Sequence, residues 1–484
     1  MKHELIIGKY TLESLTNGMY ASPLDLYREY VQNSVDSIDD TVSSGIEQLE
    51  KLNIQITVDA ATRSISIRDN GCGIHSDYAV GTLIDIGNSS KSRAANRGFR
   101  GIGRLAGLGY CDELAFITSA LGDTHRTIVK FDAKKLTELL LIKDEENVTV
   151  SDVIGQVVAV SQESESSQKH YFEVVLHNVT DNDNLLDIDS VKEYLLQHAP
   201  IPFAKDFQWG KTIQEKVKLE GYQIPTYNIT LNKVPLFKPY GNTFISDRIK
   251  KIEDLIHDIH VQSFLHDGKL SAVLWYAESS FFGTVNDNLL KGIRVRQGNI
   301  LIGDRTTCNA FFKEERFNGW VIGELHVVDP DLIANSRRDN FEKNEAYYCL
   351  IEEIKKWAAG LSKTIRSLSY ERNLSREKKA ILDIQDPEDV NGLYVEDLSF
   401  ADGISESNYL DSSESQAVAE SDYIGKLSTL LEQKKLQTKY VALNINTKLT
   451  IEQRKVLERV FDLIQAGYDK ETANEFINVI SKQF

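Results

Sequence analysis

Two short stretches, YREYVQNSVDSID at Tyr27–Asp39 and IRDNGCGI at Ile67–Ile74, decide how the rest of this chain is interpreted. The first predicts a helix, with Ser22 as its N-cap, Pro23 at the first helical position and Asp25 completing a capping box. Apolar residues recur at helical spacing and predict a face buried in a core. These residues are Leu24, Tyr27, Val31, Val35 and Ile38.

A second face of this helix carries Glu29, Asn33 and Asp36, because residues three and four positions apart lie on the same side. A carboxylate there is a possible general base. An amide oxygen suits a hard cation such as Mg²⁺, which prefers oxygen ligands. A solvated helix face has the same composition, so the triplet alone leaves both interpretations open.

The second stretch follows two runs of alternating apolar and polar residues, 53–58 and 64–68, which predict a β-hairpin. Asp69 comes at the end of the second strand. Gly71 and Gly73 follow it, and glycine lets the backbone approach a flat ligand closely. A buried carboxylate at this point is able to accept a hydrogen bond from an exocyclic amine such as that of adenine. The DNG triplet alone predicts only a turn.

A third stretch, Ile86–Gly109, is rich in glycine and carries five Lys or Arg residues. Glycine-rich backbone with basic side chains suits phosphate, and a helix beginning near Gly101 would add its N-terminal dipole. A flexible basic loop is the alternative for this stretch.

In this order and spacing, the three stretches resemble the GHKL ATPases: gyrase, the HtpG-type heat-shock chaperones, histidine kinases and MutL, with the MORC proteins as kin. The resemblance covers roughly residues 8–180 and implies a Bergerat-fold α/β sandwich that binds ATP and Mg²⁺. It implies that Glu29 orients and deprotonates the attacking water, that Asn33 holds the magnesium, and that Asp69 accepts the adenine amine.

The same resemblance implies a set of nucleotide-binding residues, in which Ser90-Lys91 and GFRGIG are similar to an ATP lid and phosphate-binding turn, closest to MutL. The set is Asn33, Asp36, Asp69, Gly71, Gly73, Ile74, Ser90, Lys91, Gly98, Arg100, Gly101, Ile102 and Gly103. One departure concerns a Gly-Thr pair that family members often place before a late strand, where the Thr supports the adenine-binding Asp. The nearest candidate here, 170–179, has no Thr, which leaves the support of Asp69 open.

After residue 185 the pattern changes to a mixed α+β domain. A helix and a proline-marked crossing at 187–207 lead into it. Strands are predicted at 227–231, 234–240, 270–277, 293–303 and 320–328, and helical pieces near 246–258 and 343–370.

Within that domain, GIRVRQGNILIGD and RFNGWVIGELHVVDPDLIANSRRDNFE resemble the middle domain of HtpG-type chaperones. In that family an arginine of this segment reaches the γ-phosphate of ATP. Matching Asp331-Leu332 and Asn335 without a gap places it at Arg338, whereas matching the Ser-Arg pair places it at Arg337. A guanidinium suits phosphate oxygens, although a solvated Arg pair in a loop is the alternative.

The charge of −17 is concentrated in one segment, because residues 380–425 contain twelve Asp or Glu and no Lys or Arg. We interpret this segment as a disordered acidic linker. The predicted α+β chain thus has an ATP-binding domain at 1–185, a middle domain at 186–375, the linker at 380–423 and a small helical segment at 424–484.

The resemblance implies a Mg²⁺-dependent, slow ATPase that acts as a chaperone-like switch on a protein partner and dimerises when ATP binds. Four scattered cysteines and the lack of an eighteen-residue apolar run predict a cytoplasmic protein without a membrane segment. A MutL- or MORC-like ATP-gated DNA clamp is the alternative, disfavoured by the acidic balance. A histidine kinase and a non-catalytic ATP-binding scaffold are weaker possibilities. The chain also resembles compact two-domain bacterial proteins, some of them from anti-phage defence loci, and this resemblance implies a role in such defence.

Overall fold

Eight strands form the sheet that carries the second sequence motif, in a computed structural model that describes residues 22–85, 103–141, 149–180, 184–247, 249–383, 460–461, 464 and 470–481. Their spatial order is β5-β4-β3-β6-β2-β1-β7-β8, and all neighbours are antiparallel except β1 and β7. The strands are β1 (Ile54–Asp59), β2 (Ser64–Asp69), β3 (Glu113–Ser119), β4 (His125–Asp132), β5 (Val158–Ser164), β6 (Tyr171–His177), β7 (Ile229–Leu231) and β8 (Val234–Pro235).

Five helices accompany this first sheet and share its core. They are α1 (Asp25–Ser43), α2 (Ser76–Ile84), α3 (Ala133–Leu141), α4 (Val150–Val157) and α5 (Ile188–His198), with 3-10 turns at Leu49–Lys51 and Gly103–Gly109. The predicted apolar stripe of α1 is buried from Tyr27 to Ile38, with Leu24 partly buried beside it. The core explains why α1 forms, since packing of an apolar face stabilises a helix more than propensity does.

The start of α1 differs from the prediction. The helix begins at Asp25, and its N-cap is Leu24, which makes no side-chain cap. Ser22 Oγ accepts from the Leu24 N–H at 3.3 Å, and the Ser22 N–H donates to Asp25 Oδ2 at 3.3 Å. The hydroxyl therefore closes a turn ahead of the helix, so only half of the expected capping box forms.

A second sheet has the order β11-β12-β15-β13-β14, and β9 and β10 pair as a separate two-stranded ribbon. The strands are β9 (Thr243–Ser246), β10 (Ile252–Leu255), β11 (Asp258–His266), β12 (Lys269–Glu278), β13 (Gly292–Gln297), β14 (Ile300–Leu301) and β15 (Ile322–Val327). Helix α6 (Gly210–Leu219), helix α7 (Glu345–Asp383) and 3-10 turns at Asn309–Phe311 and Glu315–Trp320 complete this region.

Apolar cores cover both faces of the second sheet. Along β12, Ala272 and Leu274 pack in the core shared with α7, whereas Val273 and Trp275 pack in the core shared with α6. This alternation follows from the two-residue period of a strand, and it explains why 270–277 reads as a continuous apolar run.

The predicted hairpin at 53–58 and 64–68 is present as β1 and β2, paired from Ile54–Asp69 to Asp59–Ser64. The helix predicted at 343–370 is present as α7. The prediction of a helix near 246–258 is wrong, because this stretch forms the end of β9, all of β10 and the first residue of β11. Asp247 and Lys251, with φ of +60° and +46°, turn the chain between β9 and β10 and exclude a continuous helix.

The first sheet also extends past the boundary predicted at residue 185. Residues 229–231, assigned from sequence to the middle domain, pair in parallel with Ile54–Ile56 of β1. The Ile54 N–H donates to the Asn228 carbonyl at 2.8 Å. Residues 227–236 are therefore part of the first sheet and its core.

Contacts divide the chain into one unit at Met1–Gln385 and another at Asp386–Phe484. Most of the predicted acidic linker lies outside the described residues. In the second unit, α8 (Lys470–Ser481) falls in the predicted helical segment. Ala473 and Ile477 of this helix are buried, whereas Phe476 and Val479 are exposed.

Within the described ranges, no helix has the length and apolarity needed to cross a membrane. All four cysteines lie in these ranges and are thiols: Cys72, Cys111, Cys308 and Cys349.

Candidate functional site

Helix α1 presents the three polar residues that the sequence singled out. Asp36 is buried, while Glu29 and Asn33 are partly buried. The apolar stripe of α1 fixes the rotation of the helix in the core, and this rotation determines where the polar face points.

Asp69, the last residue of β2, is 1% exposed beside α1. Its Oδ1 accepts two hydrogen bonds, from Ser37 Oγ of α1 at 3.0 Å and from the Gly71 N–H at 3.0 Å. Donors of this kind stabilise the charged form of a buried carboxylate. The helix and the strand end are thus joined at one carboxylate oxygen.

The loop after Asp69 is held from a second side by the strands of the sheet. The Ile74 N–H donates to Thr118 Oγ1 at 2.8 Å, and the Thr118 hydroxyl donates to the Tyr171 carbonyl at 3.1 Å. His170 Nδ1 lies 2.8 Å from the Gly71 carbonyl. His170 occupies the stretch in which the resemblance led us to look for a Thr.

Two glycines of this loop occupy positions that no other residue fits. A Cβ at Gly71 would lie 2.2 Å from Ser37 Oγ. A Cβ at Gly73, which has φ of +64°, would lie 1.9 Å from the Ser119 carbonyl oxygen. The loop therefore runs against α1 and the sheet with no room for a side chain.

The end of the third sequence stretch also reaches α1. A Cβ at Gly103 would lie 2.4 Å from Glu29 Oε2, so backbone passes directly beside this carboxylate. Tyr30 anchors the turn, because its hydroxyl donates to the Arg104 carbonyl at 3.1 Å and accepts from the Gly107 N–H at 2.8 Å. Instead of the expected α-helix from Gly101, the described part is a 3-10 helix at Gly103–Gly109.

Six of the predicted nucleotide-binding residues lie outside the described residues: Ser90, Lys91, Gly98, Arg100, Gly101 and Ile102.

Arg338, from the loop between β15 and α7, reaches the predicted general base. Its Nε lies 3.3 Å from Glu29 Oε1, and the two side chains are 13% and 12% exposed. Its backbone has φ of +55°, an uncommon conformation for a residue with a side chain. The Gly303 N–H donates to its carbonyl at 2.8 Å, and its own N–H donates to the Asn335 carbonyl at 3.1 Å. Strained backbone held in this way is concentrated at functional sites.

Arg28, which is 6% exposed, connects the same loop to α1. Its Nη2 lies 3.5 Å from Glu29 Oε1 and donates to the Arg337 carbonyl at 3.3 Å. Its Nη1 lies 3.4 Å from Asp25 Oδ1, which also accepts from the Tyr194 hydroxyl at 2.8 Å. The Arg337 side chain is exposed. Of the two candidate arginines, the structure thus brings only the side chain of Arg338 to Glu29.

Burial shapes the titration of two groups near the site. It raises the pKa of the Cys72 thiol, whose Sγ lies 3.9 Å from Ser37 Oγ. It also raises the pKa of Tyr194 well above its ordinary value. Both groups are therefore neutral at pH 7.

Ser37, Arg28 and His170 belong to the site but were not singled out from the sequence. Ser37 carried a usable signal, because it lies four residues after Asn33 and therefore shares its helix face. Arg28 lies three residues after its ion-pair partner Asp25. Its contact with the Arg337 carbonyl, and that of His170 with the Gly71 carbonyl, carried no signal, since these partners are distant in sequence.

The described residues contain no cluster of three or more His, Cys, Asp or Glu side chains that could hold a metal. Oxygen donors that suit a hard cation are present on α1, in the amide of Asn33 and the carboxylates of Glu29 and Asp36.

Comparison with protein families gives a match within the first unit. Residues 26–156 match the model of the family described as histidine kinase-, DNA gyrase B- and HSP90-like ATPases. No curated protein matches the chain. The matched range includes α1, the Asp69 loop and the 3-10 turn at Gly103–Gly109, and ends before the Arg338 loop. Residues 26–156 therefore correspond to a GHKL-type ATPase domain.

Proposed function

We propose that this chain is a molecular switch that binds ATP between α1 and the Asp69 loop and hydrolyses it. The observation that carries the proposal is the 3.3 Å approach of Arg338 Nε to Glu29 Oε1. It joins a cation outside the family-matched range to the carboxylate that the resemblance names as the base.

The Asp69 loop fits an adenine nucleotide. It combines a buried carboxylate with backbone at Gly71 and Gly73 that lacks side chains. The two glycines let the loop pack directly against α1 and the sheet, and the Asp69 carboxylate would accept a hydrogen bond from the amine of the base.

The residues of α1 fit a magnesium nucleotide. Mg²⁺ keeps several waters and binds substrate phosphates, so one protein ligand is sufficient. Asn33 supplies the amide oxygen for it. The ion would neutralise phosphate charge and orient the phosphates relative to Glu29.

In the proposed reaction Glu29 accepts a proton from the attacking water, and Arg338 stabilises the charge that develops on the phosphoryl oxygens. The Arg338 guanidinium contacts the Glu29 carboxylate in the structure. It must therefore leave this carboxylate and contact phosphate oxygens when the nucleotide binds. This exchange would couple nucleotide state to the position of the Arg338 loop.

The test is ATP turnover and nucleotide affinity in the wild type and in Glu29→Ala, Arg338→Ala and Arg337→Ala. Loss of a positioned base costs about 10²–10⁴-fold in rate, so Glu29→Ala should bind ATP and turn it over at that reduced rate. Arg338→Ala should also lose turnover. Arg337→Ala is the matched control, because its side chain is exposed, and it should remain near the wild type.

Wild-type turnover in Glu29→Ala would contradict the role of the base, and wild-type turnover in Arg338→Ala that of the arginine. A chain that binds no ATP would contradict the function itself.

We extend the proposal to slow, chaperone-like action on a protein partner, with homodimerisation on ATP binding and a role in bacterial anti-phage defence. Its support is the resemblance of 292–342 to the HtpG-type middle domain. The alternative, a MutL- or MORC-like DNA clamp, is supported by the resemblance of residues 86–109 to the ATP lid of MutL. Salt-sensitive DNA binding by the purified chain would favour the clamp.

A further inference from the structure

Ser37 makes an unusual hydrogen bond for a serine within a helix. Such hydroxyls commonly donate to the carbonyl four residues earlier, as Thr41 does to the Ser37 carbonyl at 2.6 Å. Ser37 Oγ instead leaves its helix and donates to Asp69 Oδ1 at 3.0 Å. The bond joins positions separated by 32 residues, so it does not serve the local geometry of α1.

The surroundings accommodate this bond. The Gly71 N–H donates to the same oxygen at 3.0 Å, which makes Oδ1 the acceptor of two donors. A Cβ at Gly71 would lie 2.2 Å from Ser37 Oγ and 2.8 Å from Asp69 Oδ1. The absence of a side chain at Gly71 is therefore what allows the hydroxyl to reach the carboxylate.

Two donors on one oxygen have a chemical consequence for Asp69. They fix the plane in which the oxygens of this carboxylate lie. An ionised carboxylate only accepts hydrogen bonds, so it attracts a base with an exocyclic amine. It repels a base whose carbonyl oxygen stands at the same place.

We propose that Ser37 is a positioning residue that sets the preference of this site for the adenine base, acting through Asp69. The inference rests on the proposed function and deepens it. Family resemblance pointed to a Thr ahead of β6 for the support of Asp69, and Ser37 supplies that support from α1 instead.

The test compares binding of ADP and inosine diphosphate, which are not consumed by ATP hydrolysis and differ at the exocyclic group. Full-length wild type, Ser37→Ala and Ser34→Ala are titrated with each nucleotide. A hydrogen bond to a charged group corresponds to roughly 10- to 100-fold in affinity. Ser37→Ala should lose about that factor for ADP and less than about 3-fold for inosine diphosphate. Ser34, buried on the same helix, is the control, and its variant should keep the wild-type preference.

Equal losses for both nucleotides in Ser37→Ala would overturn the proposal, because they would indicate a general structural role. An unchanged ADP affinity would also overturn it. A wild type that binds neither nucleotide would contradict the proposed function rather than the role of Ser37. If Ser37→Ala does not fold, Ser37→Cys carries the same comparison, since a thiol of similar size is only a weak donor.

Discussion

Individual atoms decide the shape of the candidate site, and Gly71 shows this most directly. Its N–H holds Asp69 Oδ1, its carbonyl lies 2.8 Å from His170 Nδ1, and its missing side chain leaves room for Ser37. A methyl group here would displace the Ser37 hydroxyl and would also meet the buried Asp69 carboxylate and the backbone of α1. We therefore expect the Asp69 loop to tolerate no larger residue at this position.

Gly71→Ala should reduce ADP affinity by at least about 10-fold, since the added methyl displaces the hydroxyl that holds the carboxylate. Equilibrium titration with ADP measures the effect. Gly81→Ala is the control, because a Cβ at Gly81 meets nothing within 4 Å. In the helix α2 this change should stabilise the chain by about 0.5–1 kcal/mol and leave affinity unchanged. Normal ADP affinity in Gly71→Ala would show that the base does not approach this loop.

For individual residues, the sequence predicts which residues belong to the site better than it predicts their hydrogen-bond partners. Glu29, Asn33 and Asp36 follow from helical spacing, and Asp69 from the end of an alternating strand. The donors that hold them do not follow, because the 37–69 and 28–337 contacts depend on how strands and loops are arranged in space. The choice between Arg337 and Arg338 also requires the backbone conformation. The positive φ of Arg338 directs its side chain to Glu29, whereas the side chain of Arg337 is exposed to solvent.

Among the elements, β15 has the most unusual environment. Glu324 in its middle is 0% exposed and accepts from Arg296, whose Nε lies 2.6 Å from Oε1, and from Lys238. The hydroxyl of Tyr240 donates to the same carboxylate at 3.0 Å. Because both faces of the sheet are covered by core, these charges have each other as partners instead of water. Breaking one partner of such a cluster costs several kcal/mol.

His326 on the same strand gives the second sheet a pH dependence. It is 0% exposed, its Nε2 lies 3.1 Å from Glu324 Oε2, and burial lowers its pKa from 6.5 to about 4. Between these values the unfolded chain binds a proton that the folded chain does not. The free energy of unfolding therefore falls as pH falls through this window, by up to about 1.4 kcal/mol per pH unit.

Urea unfolding, followed by tryptophan fluorescence between about pH 7 and pH 4.5, measures this slope. All four tryptophans lie at 209–357, so their signal reports on this region. His326→Gln keeps a hydrogen-bond donor near Glu324 but does not titrate in this range. In this variant the slope of the free energy of unfolding against pH should decrease by about the contribution of one proton. The exposed His257→Gln is the control. An unchanged slope in His326→Gln would assign the acid sensitivity to other groups.

The incorrect prediction of a helix at 246–258 concerns whole elements, because this stretch forms strands instead. Its apolar residues, Ile249, Ile252, Leu255 and Ile256, follow a helical spacing, but short apolar runs are ambiguous between helix and strand. Tertiary pairing of β9 with β10 and of β11 with β12 decides in favour of strands. In contrast, α1 and the β1–β2 hairpin were predictable, since each has one long, regular period and a single buried face.

For the molecule as a whole, the first sheet determines where the nucleotide-binding part ends. Spacing and composition placed a boundary at 185, since a helix and prolines follow it. The parallel pairing of β1 with β7 is invisible to such patterns, because it joins residues about 175 positions apart. Asn232 reinforces it, as its side chain accepts from the Val58 N–H at 2.8 Å and donates to the Val58 carbonyl at 3.1 Å.

Ile229→Ala tests this organisation in the full chain. Ile229 is 1% exposed in the core shared with α1 and β2, and its truncation should cost about 2–5 kcal/mol. Since β7 pairs with β1, hydrogen exchange measured by mass spectrometry should become faster in residues 54–69, which end in Asp69, and ADP should partly reverse the change. Val234→Ala on the adjoining β8 is the control, because Val234 is 57% exposed and its truncation should leave exchange unaltered. Faster exchange confined to 258–327 would instead place residue 229 with the second sheet. It would also show that the stability of the Asp69 loop does not depend on residues after 185.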